Sequence, residues 1–254
     1  FTQAGIDSFP ATWEEFYACC DKLKEKGITP LALHTEGTGW SPMLIATAAV
    51  AEDPEGADFM RRMLPESYDN PSGYKLAATL QKLFTYTTED ALHVDYDVAY
   101  SNFFSGKAAM LANGYWLIDQ IPDGWEDKVR FAAFPQRTMV ASPETFGWAV
   151  VSTYSDEVKE AAVEFLKFRT HYNKQEKEAF FAQDFEEAPK VLSDYMEAFT
   201  GAAQIVPNYQ VKWNSILQEE TIGEALPLLK EGKIDTEGFV KMADESIKEY
   251  EAEQ

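Results

Sequence analysis

The sequence predicts an α/β fold in which helices outnumber a few short strands. Two kinds of segment indicate it: amphipathic runs that begin with capping residues, and short apolar runs bounded by glycine, proline or polar residues. The chain has 254 residues, of which 45% are hydrophobic and 14% aromatic, so it is long enough to bury a sizeable core. This composition is typical of an ordered globular protein rather than a disordered one.

The early part of the chain reads as helices separated by one strand. Thr12-Trp-Glu-Glu15 is a capping box, which predicts a helix start, and Gly27 is a typical helix stop. Pro30 lies at the start of the next predicted element, a strand, where a residue without a backbone N–H is tolerated. The elements predicted next are a strand over 28–33, a loop over 34–40, a helix from Ser41, and helices over 55–63 and 72–86.

The middle of the chain places two aromatic rings at a strand end. Gly106 predicts the stop of a short helix over 98–104, and the apolar run 108–112 predicts a strand buried on both faces. Asn113-Gly114 is a turn signal that is followed by Tyr115, and Trp116 opens a helical segment. Ligands of open α/β sheets bind at the carboxyl ends of strands, so these rings either pack the domain or stack on a ligand.

The second half alternates strands and helices. The inward face predicted for the helix from Ser155 comprises Val158, Ala161, Ala162, Phe165 and Leu166. The other predicted elements are strands over 129–134 and 146–152, a loop over 136–145, helices over 174–182 and 189–199, an extended segment over 205–209, a long helix from Trp213 with Pro227 in its last turn, and a final helix capped by Asp235.

Charge and cysteine content exclude several function classes. The 22 basic and 43 acidic residues give a net charge of −21, which argues against nucleic acid and anionic membranes as partners. Cys19 and Cys20 are neighbours that point about 100° apart on a helix, so we expect no bridge between them. We expect no metal and no cofactor, because the three histidines, His34, His93 and His171, lie far apart in sequence.

The acidic pairs do not indicate an enzyme. Glycosidases need two carboxyl groups that face each other about 5–10 Å apart, and neighbours such as Glu14/Glu15 and Asp95/Asp97 do not imply that geometry. Ser105-Gly-Lys107 lacks the upstream glycine of a phosphate-binding loop. We therefore predict a protein that is not an enzyme and has no catalytic residues.

A set of short phrases runs along most of the chain in a fixed order. They are Pro10-Ala-Thr-Trp-Glu-Glu-Phe16, Lys22-Leu-Lys-Glu-Lys-Gly-Ile-Thr-Pro-Leu-Ala-Leu33, Phe104-Ser-Gly-Lys-Ala-Ala-Met110 with Asn113-Gly-Tyr-Trp116, Phe134-Pro135, Gly147-Trp-Ala-Val-Val151 and Glu160-Ala-Ala-Val-Glu-Phe-Leu-Lys167. Each phrase is degenerate alone, but their order resembles that of the extracellular solute-binding proteins of bacterial ABC sugar importers, the group that includes maltose-binding protein.

The resemblance implies a periplasmic-binding-protein-like fold of two α/β lobes joined by crossing strands. The chain would start just after the first crossing, so that the amino-terminal lobe is largely absent and a helix-rich lobe with a short central sheet remains. Residues 1–145 would be the first part of the carboxyl-terminal lobe. Residues 146–190 would cross into the amino-terminal lobe, and residues 191–254 would complete the carboxyl-terminal lobe.

The resemblance also implies a set of ligand-binding residues. Trp116 matches the aromatic residue that stacks on a sugar ring after the family's Asn-Gly turn, and Trp40 and Trp213 match two further contacts. The residues expected beside them are His34, Glu36, Thr38, Tyr115, Asn208 and Tyr209. Each tryptophan could instead pack inside the lobe or anchor a loop.

The function that the resemblance implies is carbohydrate binding by hinge closure between two lobes. The expected partners are a sugar or oligosaccharide and the permease subunits of an ABC transporter, and the expected state is a monomer. The full-length form would be extracellular or periplasmic and anchored as a lipoprotein. One lobe alone would bind sugar weakly or undetectably. Two alternatives stay open, a secreted carbohydrate-active enzyme and a non-catalytic interaction module.

Overall fold

The computed structural model describes residues 1–36, 39–141, 148–181, 189–208 and 214–253. Within them the chain is a helix-rich α/β protein, as predicted. The helices are α1 (Trp13–Glu25), α2 (Trp40–Val50), α3 (Pro54–Arg61), α4 (Pro71–Leu83), α5 (Tyr96–Phe104), α6 (Asp156–Phe181), α7 (Lys190–Thr200), α8 (Ile222–Lys230) and α9 (Thr236–Glu253). The strands are β1 (Thr29–Ala32), β2 (Ala108–Leu111), β3 (Thr138–Val140) and β4 (Gln204–Val206).

Two small parallel sheets take the place of the single short sheet expected. β1 pairs with β2, with Thr29 opposite Ala108 and Leu31 opposite Met110. β3 pairs with β4, with Thr138 opposite Gln204. Because β1 and β2 are parallel, the segments that follow them leave the sheet at the same edge.

Most of the described helices surround one hydrophobic core. α1, α2, α4, α8 and α9 supply its largest part, and representative members with almost no exposed surface are Leu23, Met43, Leu80, Leu226 and Phe239. Cys19 and Cys20 lie in this core as free thiols, and burial raises the pKa of the Cys20 thiol to about 12. These thiols therefore behave as small apolar side chains.

Helix starts follow the capping signals in the sequence. The Glu15 backbone N–H donates to the Thr12 hydroxyl over 3.2 Å and the Thr12 N–H donates to the Glu15 carboxylate over 3.2 Å, which completes the predicted capping box. α3 and α4 begin with a different motif, Asx-Pro-x-Gly, in which the Asx residue is the N-cap and the glycine lies three residues after it. The Gly56 N–H donates to Asp53 over 2.8 Å, and the Gly73 N–H donates to Asn70 over 3.0 Å.

Three strand and loop predictions in the middle of the chain are wrong. Residues 129–133, all within the described part of the chain, form neither helix nor strand, and Phe134 contributes only a single bridge to Thr138. The predicted loop over 136–145 contains β3, because β4 from much later in the chain pairs with it. Of the predicted strand 146–152, residues 146 and 147 lie outside the described residues and 148–152 form no strand.

α6 differs from prediction in both length and burial. The two helices predicted over this region form one continuous helix, and its carboxyl end runs through 174–181. The residues expected to face inward, Val158, Ala161, Ala162, Phe165 and Leu166, are exposed or half-buried, and none of the described side chains of α6 is buried. The apolar stripe was identified correctly, but no other element of the described chain covers it.

Candidate functional site

The carboxyl edge of the β1–β2 sheet brings together aromatic residues from three segments. His34 follows β1, Trp40 begins α2, and Tyr115 and Trp116 follow β2 in a short 3₁₀ turn over Tyr115–Gln120. The ring centroids of Trp40 and Trp116 lie 5.8 Å apart at an interplanar angle of 40°. Those of Tyr115 and Trp116 lie 5.8 Å apart at 66°. Trp40 and Trp116, both expected to contact the ligand, therefore lie side by side, whereas Trp213, expected with them, lies outside the described residues.

The rings of Trp40, Tyr115 and Trp116 form a surface that is open to solvent, which we call the ledge. Trp116 is 46% exposed and Tyr115 is 60% exposed, whereas Trp40 is half-buried at the inner end. Large aromatic rings are seldom left this exposed without a partner. The ledge offers apolar faces together with the phenol group of Tyr115, a combination suited to a ligand that has both C–H and hydroxyl surfaces.

A glycine lets the Trp116 indole lie across the preceding turn. A Cβ atom at Gly114 would come within 2.3 Å of the Cζ3 and Cη2 atoms of that indole. Asn113 holds the same turn, since its side-chain oxygen accepts the Gly114 N–H over 2.8 Å and its Nδ2 donates to the Tyr96 hydroxyl over 3.0 Å. The orientation of Trp116 is therefore set by the turn beneath it.

Replacing Gly114 by alanine should displace the Trp116 ring without unfolding the protein. The backbone of Gly114 is extended, with φ −115°, so alanine is compatible with the turn and the clash falls on the indole. We expect a changed Trp116 indole N–H signal in NMR spectra and a melting temperature close to that of the wild type. Gly223→Ala, at a helical position with open space around it, should leave the indole signal unchanged. An unmoved Trp116 signal in Gly114→Ala would contradict the packing described.

His34 lies under the ledge in a buried setting. It is 4% exposed, with its ring centroid 6.1 Å from that of Trp40 and 5.8 Å from that of Tyr96. Its Nδ1 atom has no hydrogen-bond partner among the described residues. Burial lowers the pKa of the imidazole, and the negative charge of Asp95 opposes this only in part. The native state therefore favours a neutral His34.

The free energy of unfolding should fall as the pH drops below about 6.5, the ordinary pKa of histidine. In the unfolded chain His34 takes up a proton there, whereas the lowered pKa in the native state delays protonation, so acid favours unfolding. One such proton contributes at most about 1.4 kcal/mol per pH unit. Urea titrations between pH 5 and 8 measure how the free energy of unfolding changes with pH. This pH dependence should be smaller in His34→Gln and unchanged in His171→Asn, because His171 is exposed in the wild type. Equal slopes in both variants would contradict this assignment.

Tyr96 is a member of the site that the sequence patterns did not single out. It begins α5 after the N-cap Asp95, contacts His34 edge to face, accepts a hydrogen bond from Asn113, and donates to Gln120 Oε1 over 3.3 Å. Burial raises the pKa of its hydroxyl, and the hydrogen bond from Asn113 lowers it in part. A tyrosine directly after a helix N-cap was the available signal, but its link to the distant Asn-Gly turn arises only in the fold.

The remaining predicted site residues lie in different settings. Glu36 is exposed, and its backbone N–H donates to the Val94 carbonyl over 3.1 Å. Asn208 is buried, and its Oδ1 accepts a hydrogen bond from the Thr47 hydroxyl of α2 over 3.1 Å. Thr38, Tyr209 and Trp213 lie outside the described residues. Roles in ligand binding for all of these remain predictions.

One acidic side chain from each of the two named pairs binds backbone N–H groups at a helix start. Glu15 caps α1, and the Asp95 carboxylate accepts the Val98 N–H at the start of α5 over 3.2 Å. No group of three or more metal-ligating side chains occurs among the described residues. The described helices include none that is long and apolar enough to cross a membrane.

A family model for bacterial extracellular solute-binding proteins matches residues 1–170. The chain belongs to this family. Membership confirms the family expected from the sequence, and it agrees with the prediction that this solute-binding protein is not an enzyme.

Two relatives illustrate the sequence similarity of this solute-binding protein. An uncharacterized ABC transporter extracellular-binding protein of Pyrococcus horikoshii is 28% identical over 139 residues, which cover 53% of this chain and 31% of that protein. A probable sugar-binding periplasmic protein of Rhizobium meliloti is 30% identical over 111 residues, covering 42% of this chain and 26% of the relative. The match thus spans about a third or less of these relatives' lengths.

Solved structures share the fold over a longer stretch. A chitin oligosaccharide binding protein superposes with a TM-score of 0.77 at 22% identity, covering 99% of this chain and 67% of its own. A binding protein of an ABC transporter from Bifidobacterium animalis in complex with mannobiose superposes with a TM-score of 0.64 at 18% identity, covering 100% of this chain and 66% of its own. The fold of the solute-binding protein is therefore part of a periplasmic-binding-protein fold.

Proposed function

We propose that this chain binds carbohydrate for an ABC importer and that the sugar stacks on Trp40 and Trp116. The observation that carries the proposal is the pair of indoles 5.8 Å apart on a solvent-open ledge at a strand edge. A pyranose ring has an apolar C–H face, and an indole provides a large flat partner at small entropic cost. Tyr115 and Glu36, both exposed, are available for hydrogen bonds with sugar hydroxyls.

Family membership and the named relatives support the same proposal. The family is one of extracellular solute-binding proteins, and the Rhizobium relative is described as a probable sugar-binding periplasmic protein. The two superposed structures are described as a chitin oligosaccharide binding protein and a mannobiose complex. On this basis we infer an extracellular or periplasmic location and permease subunits as partners, and the monomeric state is carried over from the family resemblance alone.

The proposed mechanism is closure of two lobes around the sugar. Residues 1–145 and 191–254 would form one lobe, which is consistent with the pairing of β3 with β4. Residues 146–190 would pack on the other lobe, which accounts for the exposed apolar stripe of α6 that no other helix or strand of the described chain covers. A ligand that touches both lobes shifts the population toward the closed state, which the permease then recognises.

Isothermal calorimetry and NMR titration against a panel of sugars test the proposal. With one lobe the ligand stays open to water on one side, so we expect dissociation constants near the millimolar range, about −4 kcal/mol. The NMR signals that move should include the indole N–H groups of Trp40 and Trp116. The exposed Trp148 serves as an internal control whose signal should stay in place. No shift at millimolar mono- and oligosaccharides would reject sugar as the ligand.

A further inference from the structure

The aromatic ledge does not end at Tyr115. The Tyr115 ring centroid lies 6.0 Å from that of Tyr195 on α7, and Tyr195 stacks on Phe199 with centroids 6.3 Å apart at an interplanar angle of 18°. Tyr195 and Phe199 are one helical turn apart, so they share a face of α7. Together with Trp116, 5.8 Å from Tyr115, these rings make a connected series in which neighbouring centroids lie 5.8–6.3 Å apart, and we call this series the row.

The ring on α7 that lies farthest from Trp116 in this row is partly exposed. Phe199 is 36% exposed in the last turn of α7, whereas Tyr195 is half-buried between its neighbours. Tyr195 also contacts Phe131 edge to face, with centroids 5.1 Å apart. Tyr195 therefore positions the two outer rings, and Tyr115 and Phe199 present the surface.

α7 is held firmly against the part of the chain that carries the ledge. Arg130 donates two hydrogen bonds to the Asp194 carboxylate, over 2.5 and 2.6 Å, and the Phe131 N–H donates to the same carboxylate over 3.2 Å. Val191 is buried against Phe104 and Val129. A bidentate arginine–carboxylate pair of this kind fixes orientation as well as distance. The row of rings is thus a preformed surface.

We propose that Tyr115, Tyr195 and Phe199 form a further subsite, which takes the next units of an oligosaccharide chain. The inference rests on the proposed function, since it extends the same ledge beyond Trp116. Two exposed rings, Tyr115 and Phe199, in one connected series favour a ligand of several units over a single ring, because each added unit gains its own aromatic contact. The site therefore discriminates by chain length, with the inner indoles binding one end and α7 the continuation.

The test compares how the wild type and a Phe199→Ala variant bind saccharides of different lengths. Mono-, di- and tetrasaccharides of the glucose (α-1,4), mannose (β-1,4) and N-acetylglucosamine (β-1,4) series are titrated by NMR into the wild type and Phe199→Ala. We expect the wild type to bind one tetrasaccharide at least about 10-fold tighter than its monosaccharide, and Phe199→Ala to lose about 5- to 10-fold of tetrasaccharide affinity while keeping monosaccharide affinity. Phe168→Ala, which removes an exposed phenylalanine on α6, is the matched control and should change neither value.

The outcomes separate the two proposals. Sugar binding in which Phe199→Ala weakens all lengths equally, or none, would overturn the subsite and leave the carbohydrate function standing. Absence of binding to every sugar tested would overturn both. A Tyr195→Phe variant keeps the stacked rings and should therefore still bind the tetrasaccharide more tightly than the monosaccharide. Loss of this preference in Tyr195→Phe would contradict aromatic stacking as its cause.

Discussion

Replacing Trp116 by alanine is expected to weaken sugar binding at least about 10-fold, the loss of roughly 1.4 kcal/mol or more. Trp116 supplies the most exposed indole face of the ledge and contacts both Trp40 and Tyr115. Truncation removes the stacking surface and leaves its neighbours without their shared partner. Calorimetry with the best-bound sugar of the panel measures the change directly.

The stability of Trp116→Ala should remain close to that of the wild type. The indole is 46% exposed and lies over the Asn113-Gly114 turn rather than in the main core, so little buried area is lost. Trp148→Ala provides the control, because that indole is 66% exposed in a segment remote from the ledge in sequence and should not alter binding. Equal affinities for the wild type and Trp116→Ala would remove Trp116 from the binding site.

Local signals in the sequence predicted the parts of the fold that depend on neighbouring residues. The capping box at Thr12–Glu15 and the Asp235 cap of α9 are formed by side chains within three residues of the backbone groups they bind. That Trp40 and Trp116 belong to one site was implied by the family resemblance, and the rule that parallel strands end at a common sheet edge explains why they meet. Here β1 and β2 are adjacent and parallel, so the rule applied.

Features that depend on distant partners escaped prediction. β3 is a strand only because β4 pairs with it, and nothing in Thr138–Val140 alone distinguishes it from a loop. Tyr195 joins the ledge because α7 docks beside it. The ion pair between Arg130 and Asp194 and the burial of Val191 both hold α7 there. The apolar periodicity of α6 was recognised, but periodicity identifies a face without identifying what covers it.

Replacing Gly73 by alanine is expected to destabilise the protein by about 2–4 kcal/mol, the combined cost of overpacking and a weakened helix cap. A Cβ atom at Gly73 would lie 1.9 Å from the Tyr68 carbonyl oxygen. That carbonyl cannot retreat easily, because the Tyr68 N–H donates to Asp244 of α9 over 2.5 Å and the Tyr68 ring is buried. The start of α4 must shift instead, which weakens the 3.0 Å bond from the Gly73 N–H to Asn70.

Chemical denaturation of Gly73→Ala beside Gly223→Ala isolates the steric cause. Both glycines lie in helices, but among the described residues no neighbouring atom lies within 4 Å of a Cβ added at Gly223, so alanine there should stabilise by about 0.5–1 kcal/mol through helix propensity. Gly56→Ala should follow Gly73→Ala, since its Cβ would lie 1.9 Å from the Val50 carbonyl oxygen. If Gly73→Ala were as stable as Gly223→Ala, the Asx-Pro-x-Gly start would not require its glycine. Opposite signs for the two substitutions would instead show that this glycine is required by the close approach of the preceding backbone.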